Sequence, residues 1–276
     1  MLYFYFKHCV EDRYTMKVVP DTLKRTRASS RLAVSGLALT LCAAIQPAYG
    51  QSESSWSNQG LIYLLGPTLD GTSGIGPIDT DVDMSAGDVF ETIDGAFLGM
   101  YRGEGERWGV LIDVVYMDLK ADGAGDGGAF SGEVEVEQTT AIASATYRLS
   151  PTTQLMAGAL YNDVSAGISL EGPTDRIREQ SAGDDWVDPI VGVLFETPIG
   201  AGNWSFVGSA QLGGFGVGAD LVTILTGSFS YRFNDWSSID IGYRYLDFDY
   251  EDGDGLDRFK FDMKEHGPAV GWRFDF

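Results

Sequence analysis

The stretch Leu221–Phe233, LVTILTGSFSYRF, decides the fold. Leu221, Thr223, Leu225, Gly227, Phe229, Tyr231 and Phe233 share one parity, while Thr226, Ser228, Ser230 and Arg232 fall on the other. A period of two with one greasy face and one mostly polar face is the pattern of a β-strand between two different solvents. The same alternation runs through Trp204–Leu212, through Ile239–Tyr245 and through the closing Val270–Phe276.

Working outward, tight connections at Gly103–Glu106, Ser150–Pro151, Gly200–Gly202 and Asn234–Asp235 alternate with longer ones near 72–91, 120–132, 171–184 and 251–258. The exception is the short Gly216–Asp220. A soluble sandwich or a lipocalin-like barrel would share the alternation. The asymmetry of connection length instead fits an outer-membrane barrel with short periplasmic turns and long outer loops. Trp108, Tyr147, Trp186, Trp204, Tyr231, Phe233, Trp236 and Trp272 cluster near strand ends, where an interfacial girdle belongs. The expected fold is all-β, an antiparallel up-and-down transmembrane β-barrel. Ten strands are predicted at about 60–71, 92–102, 107–119, 133–149, 152–170, 185–199, 203–215, 220–233, 236–250 and 259–276, with eight as the alternative. Pro67 interrupts the first strand. Asp79–Met84 suits an extra hairpin arm and Ala86–Glu91 a turn of helix.

The remainder of the chain agrees with export. Residues 1–50 read as a cleaved signal peptide. Lys17, Lys24, Arg25, Arg27 and Arg31 precede the apolar run Leu32–Ile45, with Ala48 and Gly50 before a cut at Gln51 and Met16 as an alternative start. Residues 51–276 form the barrel domain. The 276 residues carry 40 acidic and 19 basic side chains. Removing the leader's seven basic and three acidic residues leaves 12 and 37, a net charge of −25 on the exported part. So acidic a chain does not seek nucleic acid. Both cysteines, Cys9 and Cys42, lie in the leader.

The strings WVDPIVG (Trp186–Gly192), GGFGVGAD (Gly213–Asp220) and GYRYLDFDYEDG (Gly242–Gly253), with the closing GPAVGWRFDF, resemble outer-membrane β-barrel proteins of Gram-negative bacteria, small porin-like barrels of the OmpA and opacity type. The resemblance covers most of residues 57–276. It implies an outer-membrane location, outer-membrane lipid and lipopolysaccharide as surroundings, and the barrel-assembly machinery as a partner in biogenesis. Trp272, Phe274 and the terminal Phe276 are similar to the signal by which that machinery selects its clients. The resemblance implies no activity.

With the greasy parity facing lipid, Asp94, Arg102, Asp113, Arg148, Glu196, Arg232, Asp240, Arg244, Arg273 and Asp275 are expected in the lumen. Buried charge is normally paired charge, so these ten predict a braced interior, with a polar pore constriction as the alternative. Asp247, Asp249, Glu251, Asp252 and Asp254 form an acidic string whose spacing departs from a calcium loop: Gly253 is one place late and Arg258 stands where a bidentate Glu belongs. A solvated loop is expected there and at Asp79–Asp83 and Asp184–Asp188, and no metal or cofactor is predicted. The glycines of 213–218 read as a tight hairpin rather than a phosphate loop. His266 is the single histidine of the exported part. It sits in KEHGP between two apolar phases, odd at Phe259–Met263 and even at Val270–Phe276, which predicts a bulge. The expectation is a structural or surface-exposed barrel without catalysis. A narrow solute channel is the alternative, and a hydrolase using His266 comes last.

Overall fold

In the computed structural model the described residues are 56–124, 131–171 and 177–276. The expected leader and its cut lie outside them. Twelve strands follow one another: β1 (Ser57–Leu65), β2 (Thr68–Ile75), β3 (Ile78–Met84), β4 (Ile93–Glu104), β5 (Trp108–Ala124), β6 (Ser131–Ser150), β7 (Thr153–Glu171), β8 (Ile177–Ile199), β9 (Trp204–Gly214), β10 (Leu221–Asn234), β11 (Ser237–Asp252) and β12 (Phe259–Asp275). One helix, α1 (Ala86–Thr92), precedes β4. All pairings are antiparallel, in the order β1, β4 through β12, and β12 returns to β1. Ten strands therefore close the barrel. Gln59 pairs with Asp275 on one side of β1 and with Arg102 on the other.

The remaining two strands are a hairpin built on β12. β2 continues the line of β1 along β12, from Leu65 opposite Ala269 to Thr68 opposite His266, and β3 folds back on β2. Pro67 has no N–H for the ladder, so the line breaks there. At the break the chains approach so closely that a Cβ on Gly267 would stand 2.0 Å from the Gly66 carbonyl oxygen. The segment expected as a long connection, 72–91, is thus the rest of β2, then β3 and α1. Ser85 caps α1 through a capping box with Asp88, each reaching the other's backbone N–H.

The strands are longer than the alternation of oily residues indicates. β5 reaches Ala124, β6 begins at Ser131 and β8 at Ile177, so the expected loops at 120–132 and 171–184 shrink. The four tight connections, the start of β1 and the finish of β12 lie at one end, here the turn end; the other, which includes the β9–β10 turn, is the loop end. In the turn-end half the outward parity is oily and exposed: Phe229 at 53%, Ile241 at 55% and Trp272 at 52%. In the loop-end half the same outward parity carries Asp118, Glu137, Asp163, Asp247 and Asp262. The inward parity does the reverse. It is charged toward the turn end, whereas Leu160, Val222, Ile224, Leu246, Phe248 and Phe261 form a dry core toward the loop end, with Val89 of α1 joining it.

This inversion corrects the expectation at KEHGP. β11 and β12 pair without a register shift from Ser237–Phe274 to Asp252–Phe259, so there is no bulge. Odd positions of β12 face inward throughout; Phe259, Phe261 and Met263 enter the dry core, while Val270 and Trp272 face outward. The apolar residues change parity because the two solvents change sides.

Candidate functional site: the lumen

Toward the turn end a mesh of ion pairs crosses the lumen. Glu104 receives Arg102 Nε at 2.8 Å, Arg148 Nη2 at 3.1 Å and the Gln154 amide. Arg102 reaches on to Glu196 at 2.9 Å, Glu196 lies 3.8 Å from Arg273, and Arg273 Nε donates to Asp240 at 3.1 Å. The chain of contacts joins β6, β4, β8, β12 and β11, of which only β11 and β12 are neighbours in the wall. Asp275 accepts from Gln59 at 2.8 Å at the mouth.

One level inward, Asp113 on β5 accepts from Arg244 Nη1 of β11 at 2.6 Å and from the Tyr63 hydroxyl of β1 at 2.8 Å, and Arg244 also reaches that hydroxyl. Beside this triad Glu265 accepts from Gln138 at 2.7 Å, and Thr140 donates to Asn162 at 2.5 Å. Arg244 and Asp113 are each 4% exposed. In so dry a place either charge without the other costs several kcal/mol, so the pair holds only as a unit. Between mesh and triad lies a cavity of about 90 Å³, touched by Arg102, Asp113, Asp240, Arg244, Leu111 and Leu194. Asp240 Oδ1, Arg244 Nε and Gln211 Oε1, all on residues that line it, have no hydrogen-bond partner among the described residues. Buried groups of this kind are where internal water is held.

Of the ten residues expected in the lumen, Arg102, Asp113, Arg148, Glu196, Asp240, Arg244, Arg273 and Asp275 make these inward contacts. Asp94 does not. A register shift between Ile93 and Gly95 turns it outward, where it pairs with Lys120 at 2.8 Å. Arg232 is exposed at the turn end beside another shift and makes no ion pair among the described residues. Glu104, Tyr63, Gln138, Gln154 and Glu265 were missed. Glu104 reads as part of a turn, Tyr63 lies in the weakly patterned first strand, and Glu265 falls in the segment taken for a bulge.

Other candidates are placed elsewhere. His266 faces outward, its Nδ1 2.7 Å from the Tyr243 hydroxyl and its ring stacked near Tyr243 and Tyr245. Trp186, expected in the girdle, points inward and stacks on Tyr250 with ring centroids 3.8 Å apart. Asp188, expected in a solvated segment, is fully buried, and its Oδ1 accepts from the N–H groups of Gly218 and Ala219. The acidic string 247–254 is dispersed: Asp247 accepts from Tyr245 at 2.7 Å, Asp249 faces Asp262 across the sheet, Glu251 pairs with Arg258 at 2.7 Å, and Asp252 and Asp254 are exposed. Among the described residues, the acids whose ligand atoms lie within 4.8 Å of one another are Asp118, Glu135 and Glu137; Lys120 pairs with Asp118 at 3.7 Å and Glu135 at 3.3 Å, and Tyr116 donates to Glu137.

At the loop end Arg258 clasps the β2–β3 hairpin to the β11–β12 loop. It donates to Asp79 at 2.6 Å, Glu251 at 2.7 Å and the Gly76 carbonyl at 3.2 Å. The hydrogen bonds from Arg258 hold both carboxyls below their usual range.

No family model and no curated protein matches the chain. Solved structures resemble it distantly. The attachment invasion locus protein Ail of Yersinia pestis is 13% identical, with 81% of this chain and 99% of that one covered and a TM-score of 0.34. The outer membrane protease OmpT of Escherichia coli is 8% identical, with 83% and 99% covered and a TM-score of 0.46. The transport unit of the autotransporter AIDA-I from Escherichia coli is 10% identical, with 88% and 96% covered and a TM-score of 0.36. Likeness this remote carries no activity, ligand or partner to the present chain.

Proposed function

We propose that this chain is an outer-membrane β-barrel whose interior is closed and whose role is structural or surface-displaying, without transport or catalysis. The observation that carries the reading is the filled lumen: an Arg–carboxylate mesh at the turn end, backed by a dry core in which Phe248, Leu160 and Val222 are fully buried. An ion crossing that core would lose its hydration with nothing to replace it.

Membrane seating follows from the outward face. Trp108 meets Tyr147 edge to face with ring centroids 4.8 Å apart, and Trp204 lies tilted against Tyr231 at 4.9 Å, near the turn end. Toward the loop end Tyr116, Tyr161 and Tyr245 each direct a hydroxyl at a carboxylate, Glu137, Asp163 and Asp247 respectively. Amphipathic rings with their polar tips turned to water mark a lipid boundary. Tyr116 is eight residue steps along β5 from Trp108; at about 3.4 Å per step and a tilt near 40° that is roughly 21 Å, close to the apolar band of such barrels. Lipopolysaccharide and lipid surround this band, and the acidic loop end faces outward from the cell. Outward-facing His266, held by tyrosine, is not placed for hydrolysis of a substrate in the lumen.

Single-channel recording of the refolded protein in a planar bilayer tests the closed lumen. Silence across the usual voltage range is expected. Reproducible unitary openings would reject it in favour of a narrow channel.

A further inference from the structure

The lipid-facing band is not level around the barrel. On β5, β7 and β11 it stops at a tyrosine, Tyr116, Tyr161 and Tyr245, with a carboxylate, Asp118, Asp163 and Asp247, at the next outward position. Over β8–β10 no tyrosine intervenes. Outward Val187 and Val191 of β8, Leu212 of β9 and Leu221 of β10 continue the oily face, exposed by 54%, 51%, 49% and 48%. Leu221 lies across from Asp249 of β11, two outward positions beyond Tyr245, so the apolar face of β10 rises past the level at which the neighbouring strand has become acidic.

The β9–β10 turn caps this rise. Phe215 and Val217 stand at its tip, 55% and 70% exposed. Phe215 has φ of 56°, the left-handed region that glycine occupies at no cost, with Gly214 and Gly216 beside it also at positive φ. A large ring is held in a strained backbone and still not buried. The turn is fixed from below: Gly216 N–H donates to Ala219 O at 3.0 Å, Val217 N–H to Gly214 O at 3.2 Å, and the buried Asp188 carboxylate takes the N–H groups of Gly218 and Ala219. Two apolar side chains are therefore presented on a stiff mount, contiguous with the lipid-facing surface. Asp185 on β8 and Asp220 and Asp249 toward β11 form its rim.

We infer that the β9–β10 turn is a membrane anchor: Phe215 and Val217 sit among the acyl chains of the outer leaflet, and the bilayer rises higher on the β9–β10 hairpin than on the rest of the barrel. Continuity with the oily band and strain at an exposed ring favour lipid over water as the occupant. Two short strands between long ones then have a purpose, since the hairpin ends where the membrane does. The inference rests on the membrane seating proposed above.

The test places a nitroxide at Val217→Cys, in a Cys9→Ser, Cys42→Ser background, after refolding into phosphatidylcholine vesicles. Leu225→Cys on the oily face of β10 and Asp254→Cys in the β11–β12 loop serve as references. Collision with oxygen, which concentrates in lipid, is compared with collision with a water-soluble nickel chelate. The anchor predicts an oxygen-to-nickel ratio at 217 grouping with that at 225. A ratio grouping with 254 overturns the anchor and leaves the barrel seated as proposed, with the tip then a surface for a protein partner. If 225 itself reads as water-exposed, the membrane seating fails and the anchor with it.

Discussion

Arg244 of β11 reaches across the lumen to Asp113 of β5, Nη1 to Oδ2 at 2.6 Å, with both side chains almost wholly buried. The pair sits where the interior changes from charged to dry. Leu246, two residues along β11 from Arg244, already belongs to the apolar core.

Breaking that pair from one side should be costly. Arg244→Met is expected to destabilise the folded barrel by about 3–5 kcal/mol, because Asp113 is left charged and dry. Arg244→Met with Asp113→Leu should recover most of the loss, since an apolar pair needs no compensation. Denaturant unfolding in lipid vesicles, read by tryptophan fluorescence, measures both; equal loss in the single and double variants would deny the coupling.

The inward face of the loop-end half and the outward face of the turn-end half predict opposite sensitivities. Phe248→Ala should cost about 3–5 kcal/mol, the range for emptying a packed aromatic site. Phe229→Ala, on the outward face, removes a ring whose alternative surroundings are lipid and should cost far less. The same unfolding titration ranks them, and a Phe229 loss as large as that of Phe248 would place the core on the wrong side of the wall.

Closure of the lumen is assigned to the dry core, and the mesh is its bracing. Replacing Arg102, Glu196 and Arg273 together by Ser should therefore weaken the barrel without opening it to ions. Steady conductance in that triple variant would move the seal from Phe248 and its neighbours to the mesh.

At the loop end the clasp should respond to acid. Hydrogen bonds from Arg258 depress the carboxyls of Asp79 and Glu251 in the folded state, so their contribution is complete above the ordinary carboxylate pKa of about 4. It is lost as pH falls through the depressed folded values. Hydrogen-exchange protection of β2–β3 should drop over that interval while the barrel strands stay protected. Arg258→Gln should remove the pH dependence, leaving the hairpin equally open on both sides of it.

Much of this was legible in residue order because lipid and water enforce a period of two. Leu221–Phe233 alone specifies an outward oily face, and the alternation of connection lengths orients the barrel. What escaped depends on which solvent meets which face. Phe259, Phe261 and Met263 keep the parity of Arg273, yet their apolar character suggested a phase break; the strand runs straight and the environment switches. Trp186 and Asp188 escaped for the same reason, being inward residues of a strand that continues beyond the lipid. Asp94 escaped differently: a single-residue register shift reverses its side, and nothing in the local pattern announces it. Glu104, which gathers Arg102, Arg148 and Gln154, looked like turn composition because it is the last residue of β4.

The inversion of faces is tested most directly along β12, by nitroxide accessibility at each position from Phe259 to Phe274 in vesicles. Even positions should meet oxygen from Phe274 to Val270 and the nickel chelate at Lys264, Asp262 and Lys260, while Phe259, Phe261 and Met263 meet neither. Lipid contact at Phe261 and Met263 would mean that the strand reverses its facing at His266, and the two-storey interior described here would not exist.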